Sequence, residues 1–475
     1  MAGLVCGIDI GSTNLKVVIV DEAGRAVHSR AVPTPRRPDG AGVATDAAEL
    51  VALLEAMVIQ GWREAGAGRP LLAIASAGVG EDGIGVGPDL APTGFALPWF
   101  DARAAAEAGR LRRSPAATAR AGIAIAADRT AAKWSWLRRH RPGDLADARY
   151  WIALTDFPSV WWSGRPFMSA TLAPRTACYD VYGRQWIEPL LAAAGAPPLP
   201  PLLEAGAIVA GVRKGPLRDS GAASAETLII AGGHDHPIAA GTIRRLAPTA
   251  RVDSMGTANL VYGEAPVPTL PRLDPFLALS LPPSGAPGVA CLGVMELSAA
   301  LEPARRDPAL FREVLAARRL PGHPPESMAD GAPDAVVAVR RALERASLLA
   351  RRLLAALDEA GAPAGPIHAT GGWARSTGFL ELRASIFGCP IHAVEEPELT
   401  ALGAAFLAAT AATGVAPRLE DTRRVRIVEP VAAWCAPYDR LFPAIRRELD
   451  AAVLRSDMPG FPSPEPAQRS ARGHH

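Results

Sequence analysis

The sequence is poor in every feature that would tie it to an oxidising compartment, a membrane or a nucleic acid. Its five cysteines, Cys6, Cys178, Cys291, Cys389 and Cys435, are scattered and form no CxxC pair. That count and spacing speak against a disulfide framework and for reduced thiols in a cytoplasmic protein. No run is long and apolar enough to span a bilayer without a charge or a proline. The first ten residues run straight into a strand, without the basic and apolar regions of a secretory signal. A cytoplasmic location is therefore expected. Charge of one sign is missing too: 50 Lys and Arg against 48 Asp and Glu leave a net +2. This balance offers no electrostatic footprint for nucleic acid or an anionic membrane surface as partner.

Two common nucleotide signatures are also absent. No Gly-x-x-x-x-Gly-Lys-Ser/Thr occurs, which excludes a P-loop. Gly78-Val79-Gly80-Glu81-Asp82-Gly83 matches Gly-x-Gly-x-x-Gly, but Ile84-Gly85-Val86-Gly87-Pro88-Asp89 follows. A dinucleotide site needs a helix to open at that point, and this stretch cannot propagate one.

The 475 residues, 49% hydrophobic and 21% charged, suffice for more than one core, since single cores stop growing at roughly 250–300 residues. Leu4–Ile10, Leu15–Val20 and Ala26–Ala31 read as a strand meander with Gly11-Ser12-Thr13-Asn14 at its first turn. Ala47–Glu64, Thr130–His140 and Asp156–Trp162 have helical periodicity, and Leu71–Ala77 and Leu228–Ala231 read as short strands. After about Arg244 the opening pattern returns as Arg251–Ser254, Met255-Gly256-Thr257 and Leu260–Tyr262, a repeat at domain scale. An amphipathic helix at Ala335–Glu359, a strand at Ile367–Thr370 and helices at Thr377–Phe387 and Leu399–Thr410 follow. From about Ser456 the Pro-, Ser- and Arg-rich end is expected to be disordered.

Three segments carry chemistry. In Asp9-Ile10-Gly11-Ser12-Thr13-Asn14-Leu15-Lys16 a carboxylate at a strand end is suited to hold Mg²⁺ through water. Gly11 admits close backbone approach, Ser12 and Thr13 add donors, and Lys16 adds charge. The same residue types also suit an ordinary hairpin. Asp253-Ser254-Met255-Gly256-Thr257 repeats the pattern, and two facing hairpins make a clamp for a polyphosphate. In Gly232-Gly233-His234-Asp235-His236-Pro237 a carboxylate just after a strand is placed as a general base. A His-x-His metal site is disfavoured there, because no third His or Cys cluster lies nearby in sequence.

In this order the segments resemble the FGGY carbohydrate kinases. Asp9–Thr13 is similar to the family's first phosphate motif, and Trp99-Phe100-Asp101-Ala102-Arg103 to its Trp-x-Asp-x-Arg. Arg175–Asp180 with Trp186 resembles the stretch before the family's Gly-x-x-x-Gly strand, here Gly206–Gly211. Ala231–Asp235 resembles the catalytic-aspartate motif, Ser254–Thr257 the second phosphate motif, Thr370–Ser376 the adenosine motif and Pro397–Ala405 the closing helix. The resemblance spans roughly Leu4 to Thr410.

It implies an α/β protein of two actin/hexokinase/Hsp70-like (ribonuclease H-like) domains, 1–243 and 244–455, with a tail at 456–475 and ATP in the interdomain cleft. It implies transfer of the γ-phosphoryl group of MgATP to a sugar or polyol, with Asp235 as base and Asp9 organising Mg²⁺. Gly11, Ser12, Thr13, Lys16, Gly256 and Thr257 would meet phosphates. Gly371, Gly372 and Ser376 would hold the nucleoside. Glu81, Trp99, Asp101, Arg103, His234 and His236 are the candidate sugar contacts, with Glu81 across the pocket from Asp235. Asp101 and Arg103 are equally readable as a structural ion pair. The partners are then the sugar and ATP, with a homodimer left open.

Two departures stand out. Leu301–Pro333 is short and Arg/Pro-rich, without the family's Pro-x-x-x-Gly-Glu-Arg-x-Pro and Gly-Leu stretches. The amide and aspartate usual after Gly371-Gly372 are replaced around Glu381–Ser385. Three readings follow: a kinase for a ketose such as fuculose or xylulose, a glycerol- or erythritol-type polyol kinase, and a nucleotide-dependent sugar sensor without turnover.

Overall fold

Every residue of β1 (Val5–Ile10) is buried, as its nearly continuous apolar run requires of a strand covered on both faces. The computed structural model describes residues 3–40, 42–66, 68–256, 258–268, 273–295, 297, 307–320, 335–396, 398–417 and 425–455. In it β1 is central to a sheet that also holds β2 (Asn14–Val20), β3 (Ala26–Pro33), β4 (Ala73–Gly78), β5 (Ile208–Gly211) and β6 (Leu228–His234). The order is β5-β6-β4-β1-β2-β3. β1, β2 and β3 form an antiparallel meander, β4 and β6 add in parallel beside β1, and β5 closes the edge antiparallel.

A second sheet repeats this plan. It comprises β7 (Arg251–Met255), β8 (Asn259–Ala265), β9 (Ala278–Ser280), β10 (Val289–Met295), β11 (Ile367–Thr370), β12 (Ile391–Val394) and β13 (Val425–Val428). The order is β9-β10-β8-β7-β11-β12-β13. β7, β8 and β10 form the meander, β11 and β12 are parallel to β7, and β13 is the antiparallel edge. The repeat read from the sequence is thus a repeat of topology, with β9 added.

Helix α1 (Ala47–Glu64) is capped by Asp46, whose side chain accepts from the main-chain N–H groups of Ala48 and Glu49, satisfying donors left open at a helix start. It buries Leu50, Leu54 and Val58 with Ile8 and Ile10 of the first sheet. Two other helices, α3 (Asp235–Arg244) and α6 (Leu399–Thr413), come after α2 (Thr130–His140) in the chain. Their Ile238, Ile243, Leu402 and Phe406 share one core with Ala75 and Ile230 of the first sheet and Val252 and Leu260 of the second. The contact is close. A Cβ on Gly7 would lie 1.9 Å from the Ala401 carbonyl oxygen, and one on Gly403 2.4 Å from Thr242 Oγ1. The division expected between residues 243 and 244 falls at the end of α3.

The structure differs from the sequence reading in instructive places. β6 does not stop at Ala231 but runs to His234, with an irregularity between Ile230 and Gly233. Gly232 is there for space: a Cβ would sit 1.9 Å from the Ser76 carbonyl oxygen. Strands β9 and β10 went unread, because their apolar runs flank a Pro/Gly-rich segment that resembles loop. Ala432–Arg455 is helical although it contains Pro437 and Pro443, which a sequence reader takes as breaks. After Gly78 the chain forms a strand, Gly83–Val86, paired with Tyr150–Ala153, and no dinucleotide helix. Thr257, the tail 456–475 and most of Leu301–Pro333 lie outside the described residues. Pro308–Ala316 within that last segment is a helix.

Candidate active site

The C-terminal ends of the parallel strands gather the chemistry. β1 carries Asp9 one residue from its end, and β6 ends at His234, so that Asp235 is the first residue of α3. A carboxylate at a helix N-terminus faces the positive end of the helix dipole. The Asp235 side chain is 21% exposed, and its Oδ1 accepts from the His236 main-chain N–H at 2.7 Å. Burial lifts the Asp9 carboxyl to about 7, while Lys16 pulls it down and Asp235 and Glu398 push it up. These four groups form one electrostatic cluster. Lys16 Nζ lies 3.9 Å from Asp9 and 2.8 Å from Glu398, the residue that precedes α6. The structure therefore joins the strand that follows the Gly11 turn to the start of α6 through an ion pair.

The turn at Gly11 is pinned: its N–H donates to the Asn14 carbonyl at 3.0 Å, and its carbonyl accepts from Thr34 Oγ1 at 2.7 Å. The Ser12 carbonyl accepts from Arg36 at 3.1 Å, and Thr13 is exposed. On the second sheet, Gly371 has φ +93 and a Cβ there would lie 2.4 Å from the Met255 carbonyl oxygen. The Gly371-Gly372 turn thus rests on the Met255-Gly256 turn, and Gly372 faces open space. Ser376 is different. It is fully buried, accepts from the Phe379 N–H as the cap of α5 (Thr377–Phe387), and donates to the Val314 carbonyl at 3.1 Å. Its only hydrogen is spent and it has no exposure, so its side chain offers a nucleoside no donor.

The repeated acids are not equivalent. Asp253 has no exposure and is bound by Arg383, also fully buried, with Nε–Oδ2 2.5 Å and Nη2–Oδ1 2.9 Å. Asn259 Nδ2 adds a bond to Oδ1 at 2.7 Å. Asp253 holds the second sheet together and presents nothing to a ligand.

Glu81 lies beside the Asp235 region, but inside an arginine clamp. Its Oε1 accepts from Arg129 and from Nε and Nη2 of Arg175. The sequence showed Gly80 at its side and no arginine. The reason is steric, since a Cβ on Gly80 would lie 2.6 Å from Arg175 Cγ. Arg175 arrives from the turn Ala170–Thr176 and Arg129 from the residue before α2. Arg175 was in view within its motif, yet no spacing rule shows that two arginines from distant segments meet on Glu81. Asp101 and Arg103 pair with each other at 2.7 Å, and Arg103 also binds Asp39 at 2.7 Å. The ion-pair reading therefore holds for them, and four of the five Arg103 N–H donors are spent on Asp101 and Asp39. They wall a cavity of about 530 Å³ with Phe100, Trp136 and Arg141, which none of Asp9, Glu81 or Asp235 lines. Trp99 is 38% exposed and packs edge-on to Phe100 at 5.8 Å. His236 is half exposed, whereas His234 is buried.

The turn that supplies Arg175 also supplies Thr171, whose Oγ1 accepts from the His234 main-chain N–H at 2.9 Å. It is anchored by the fully buried Asp156, bound to Ser169 N at 2.7 Å and Ser169 Oγ at 2.6 Å. Burial pushes Asp156 from 3.8 up to about 7. Between those values the folded chain keeps a proton that the unfolded chain has released, so native stability falls as pH rises through that window. Asp156→Asn keeps the shape and removes the titration. Urea unfolding from pH 4 to pH 8 is expected to show a smaller loss of stability in the variant; identical pH slopes refute the assignment.

The donor set suits a magnesium nucleotide. Mg²⁺ is commonly held by one or two carboxylates, water and phosphate oxygens, not by an all-protein cage. Asp9 could serve as such a carboxylate, and among the described residues no group of three His, Cys, Asp or Glu side chains is arranged to cage a metal. Lys16, the exposed Thr13 and the open backbone at Gly372 complete the set.

Comparison with known proteins identifies the family. Residues 4–241 match the N-terminal domain and residues 315–412 the C-terminal domain of the FGGY family of carbohydrate kinases. The chain belongs to that family: it is a phosphotransferase of the sugar and polyol kinase class, with the family's two-domain α/β fold. A glycerol kinase from Aromatoleum aromaticum is 29% identical over 397 residues, covering 73% of this chain and 77% of that protein. The fold matches xylulose kinase from Rhodospirillum rubrum with a TM-score of 0.83 at 21% identity, covering 95% of this chain and 99% of that one. It matches Plasmodium falciparum glycerol kinase, solved with ADP, at 0.79 and 15% identity, covering 96% and 99%. No helix among the described residues is long and apolar enough to cross a membrane.

Proposed function

We propose that the chain phosphorylates a hydroxyl of a ketose such as fuculose or xylulose at the expense of ATP, with Asp235 as general base. The observation that carries this reading is the placement of Asp235, partly exposed at the head of α3, in one electrostatic cluster with Asp9 and Lys16. Phosphoryl transfer needs positioning and charge stabilisation more than covalent help. Asp9 would hold Mg²⁺ through water, and Lys16, Thr13 and the Gly11 and Gly256 turns would meet the phosphates. Gly371 and Gly372 would border the nucleoside. When bound, Mg²⁺ and the phosphates supply the electrophile and neutralise its charge. Asp235 takes the proton of the acceptor hydroxyl, with the half-exposed His236 and Trp99 as candidate sugar contacts. Water kept out of the cleft would protect the phosphoryl group from hydrolysis.

A second reading, a glycerol-type polyol kinase, is favoured by the relative from Aromatoleum aromaticum. A panel of ketoses, aldoses and polyols in a coupled ADP-release assay separates the two. Turnover is expected with a ketose and MgATP. Turnover with glycerol or erythritol alone overturns the ketose assignment, and nucleotide binding without turnover of any acceptor favours a sensor.

A further inference from the structure

His234 sits next to the proposed base, yet the structure withdraws it from solvent: it is 4% exposed. Three neighbours set its ring. Its main-chain N–H is tied to Thr171 Oγ1 at 2.9 Å. Gly80 lies beneath it, since a Cβ there would stand 3.0 Å from its Cδ2. His236 meets it edge to face, with centroids 5.6 Å apart. So held, Nε2 lies 3.2 Å from Asp235 Oδ1. The main-chain N–H of His236 donates to that same oxygen at 2.7 Å.

We infer that His234 is a positioning residue for Asp235: the His236 main-chain N–H bonds Oδ1 and the His234 ring backs the same oxygen with Nε2 3.2 Å away, so that Oδ2 is the atom presented to the acceptor hydroxyl. The inference rests on Asp235 being the base. An ionised carboxylate only accepts, so the hydrogen in this contact belongs to Nε2. A neutral ring then has a bare Nδ1, and that atom is buried without a hydrogen-bond partner among the described residues. The surroundings keep the ring neutral. Burial is the largest influence and lowers its pKa, Asp235 and Glu81 raise it, Arg175 and His236 lower it, and the result is about 3. A bonded donor and a buried ring against one oxygen restrict the carboxylate plane, which a base needs because its second oxygen must meet the hydroxyl at hydrogen-bond distance. His234 thus acts through Asp235 and not as the sugar contact that its place in the motif suggested.

Two measurements test this. In ¹⁵N spectra of the ligand-free protein, the imidazole signals lost in His234→Gln are expected to show a protonated Nε2 and a bare Nδ1. A protonated Nδ1 on that ring overturns the inference without any assay. With the acceptor chosen by the panel above, His234→Leu removes the donor and is expected to lower kcat by about 10²-fold. KM for the acceptor and Kd for MgADP stay near their original values, and His234→Gln, which keeps an amide donor, recovers most of kcat. A rise in acceptor KM with kcat preserved makes His234 a sugar contact and overturns the inference. If Asp235→Asn is inactive but His234→Leu is normal, this inference alone fails. If Asp235→Asn keeps full turnover, the base assignment beneath it fails.

Discussion

Asp235→Asn is expected to lower kcat by about 10²–10⁴-fold, the range a positioned general base contributes. The amide oxygen of the variant can still accept from the His236 N–H, which bonds Oδ1 in the native chain beside the His234 ring. The amide nitrogen then stands where Oδ2 stood and has no lone pair to take a proton. Binding and chemistry should separate: Kd for MgADP stays near its original value, and the loss appears in kcat. Steady-state kinetics with the best acceptor, together with nucleotide titration, checks both. Turnover close to that of the native chain refutes the assignment. A parallel loss of nucleotide affinity points instead to a disturbed phosphate site, because Asp9 and Asp235 sense each other electrostatically.

The second large effect concerns stability. Arg383→Leu is expected to cost about 3–5 kcal/mol, the usual penalty for leaving one member of a buried ion pair alone. Folded proteins have only about 5–15 kcal/mol to lose. Asp253 and Arg383 are both fully buried and bonded twice to each other, and Arg383 also lies over the rings of Phe379 and Phe387 at 5.5 and 5.2 Å. Without the guanidinium, Asp253 keeps only Asn259 as a bonded partner among the described residues. A urea or thermal unfolding midpoint far below that of the native chain is expected. Replacing Asp253 by Leu as well should restore much of the loss, since the penalty comes from the unpaired charge. An unchanged midpoint in the single variant refutes the role given to the pair. This test also probes the asymmetry of the repeat: Asp9 lies 3.9 Å from Lys16 in a cluster with Asp235, while its counterpart serves the core of the other sheet.

Much of the architecture was legible because it follows from local rules. The 3.6-residue periodicity of Ala47–Glu64, Ala335–Glu359 and Thr377–Phe387 placed those helices within the bounds observed. The strand, Gly/hydroxyl turn and strand of Asp9–Val20 and Arg251–Tyr262 showed the duplication, and the Asp9 carboxylate near the first strand's end marked the candidate site. What stayed hidden depended on contacts between distant segments. Ser376 looked like a ligand residue, but a hydroxyl at a helix start is equally a cap, and only the fold brings the Val314 carbonyl to it. Asp9 and Asp253 have the same local sequence setting. Arg383, 130 residues from Asp253, neutralises one, and no comparable buried arginine reaches the other among the described residues.

The sequence by itself determined the duplicated α/β plan, the Gly/hydroxyl turns and the carboxylates at their ends, because hydrophobic period and turn chemistry act over a few residues. Only the tertiary structure decided that Asp253 is neutralised by Arg383 while Asp9 stands in a cluster with Lys16, Asp235 and Glu398. It alone decided that Glu81 is held by Arg129 and Arg175, and that Glu398 reaches Lys16. Charge pairing in a folded chain is set by distance in space, and burial sets how strongly each pair is felt. Neither quantity is written in the spacing of residues along the chain.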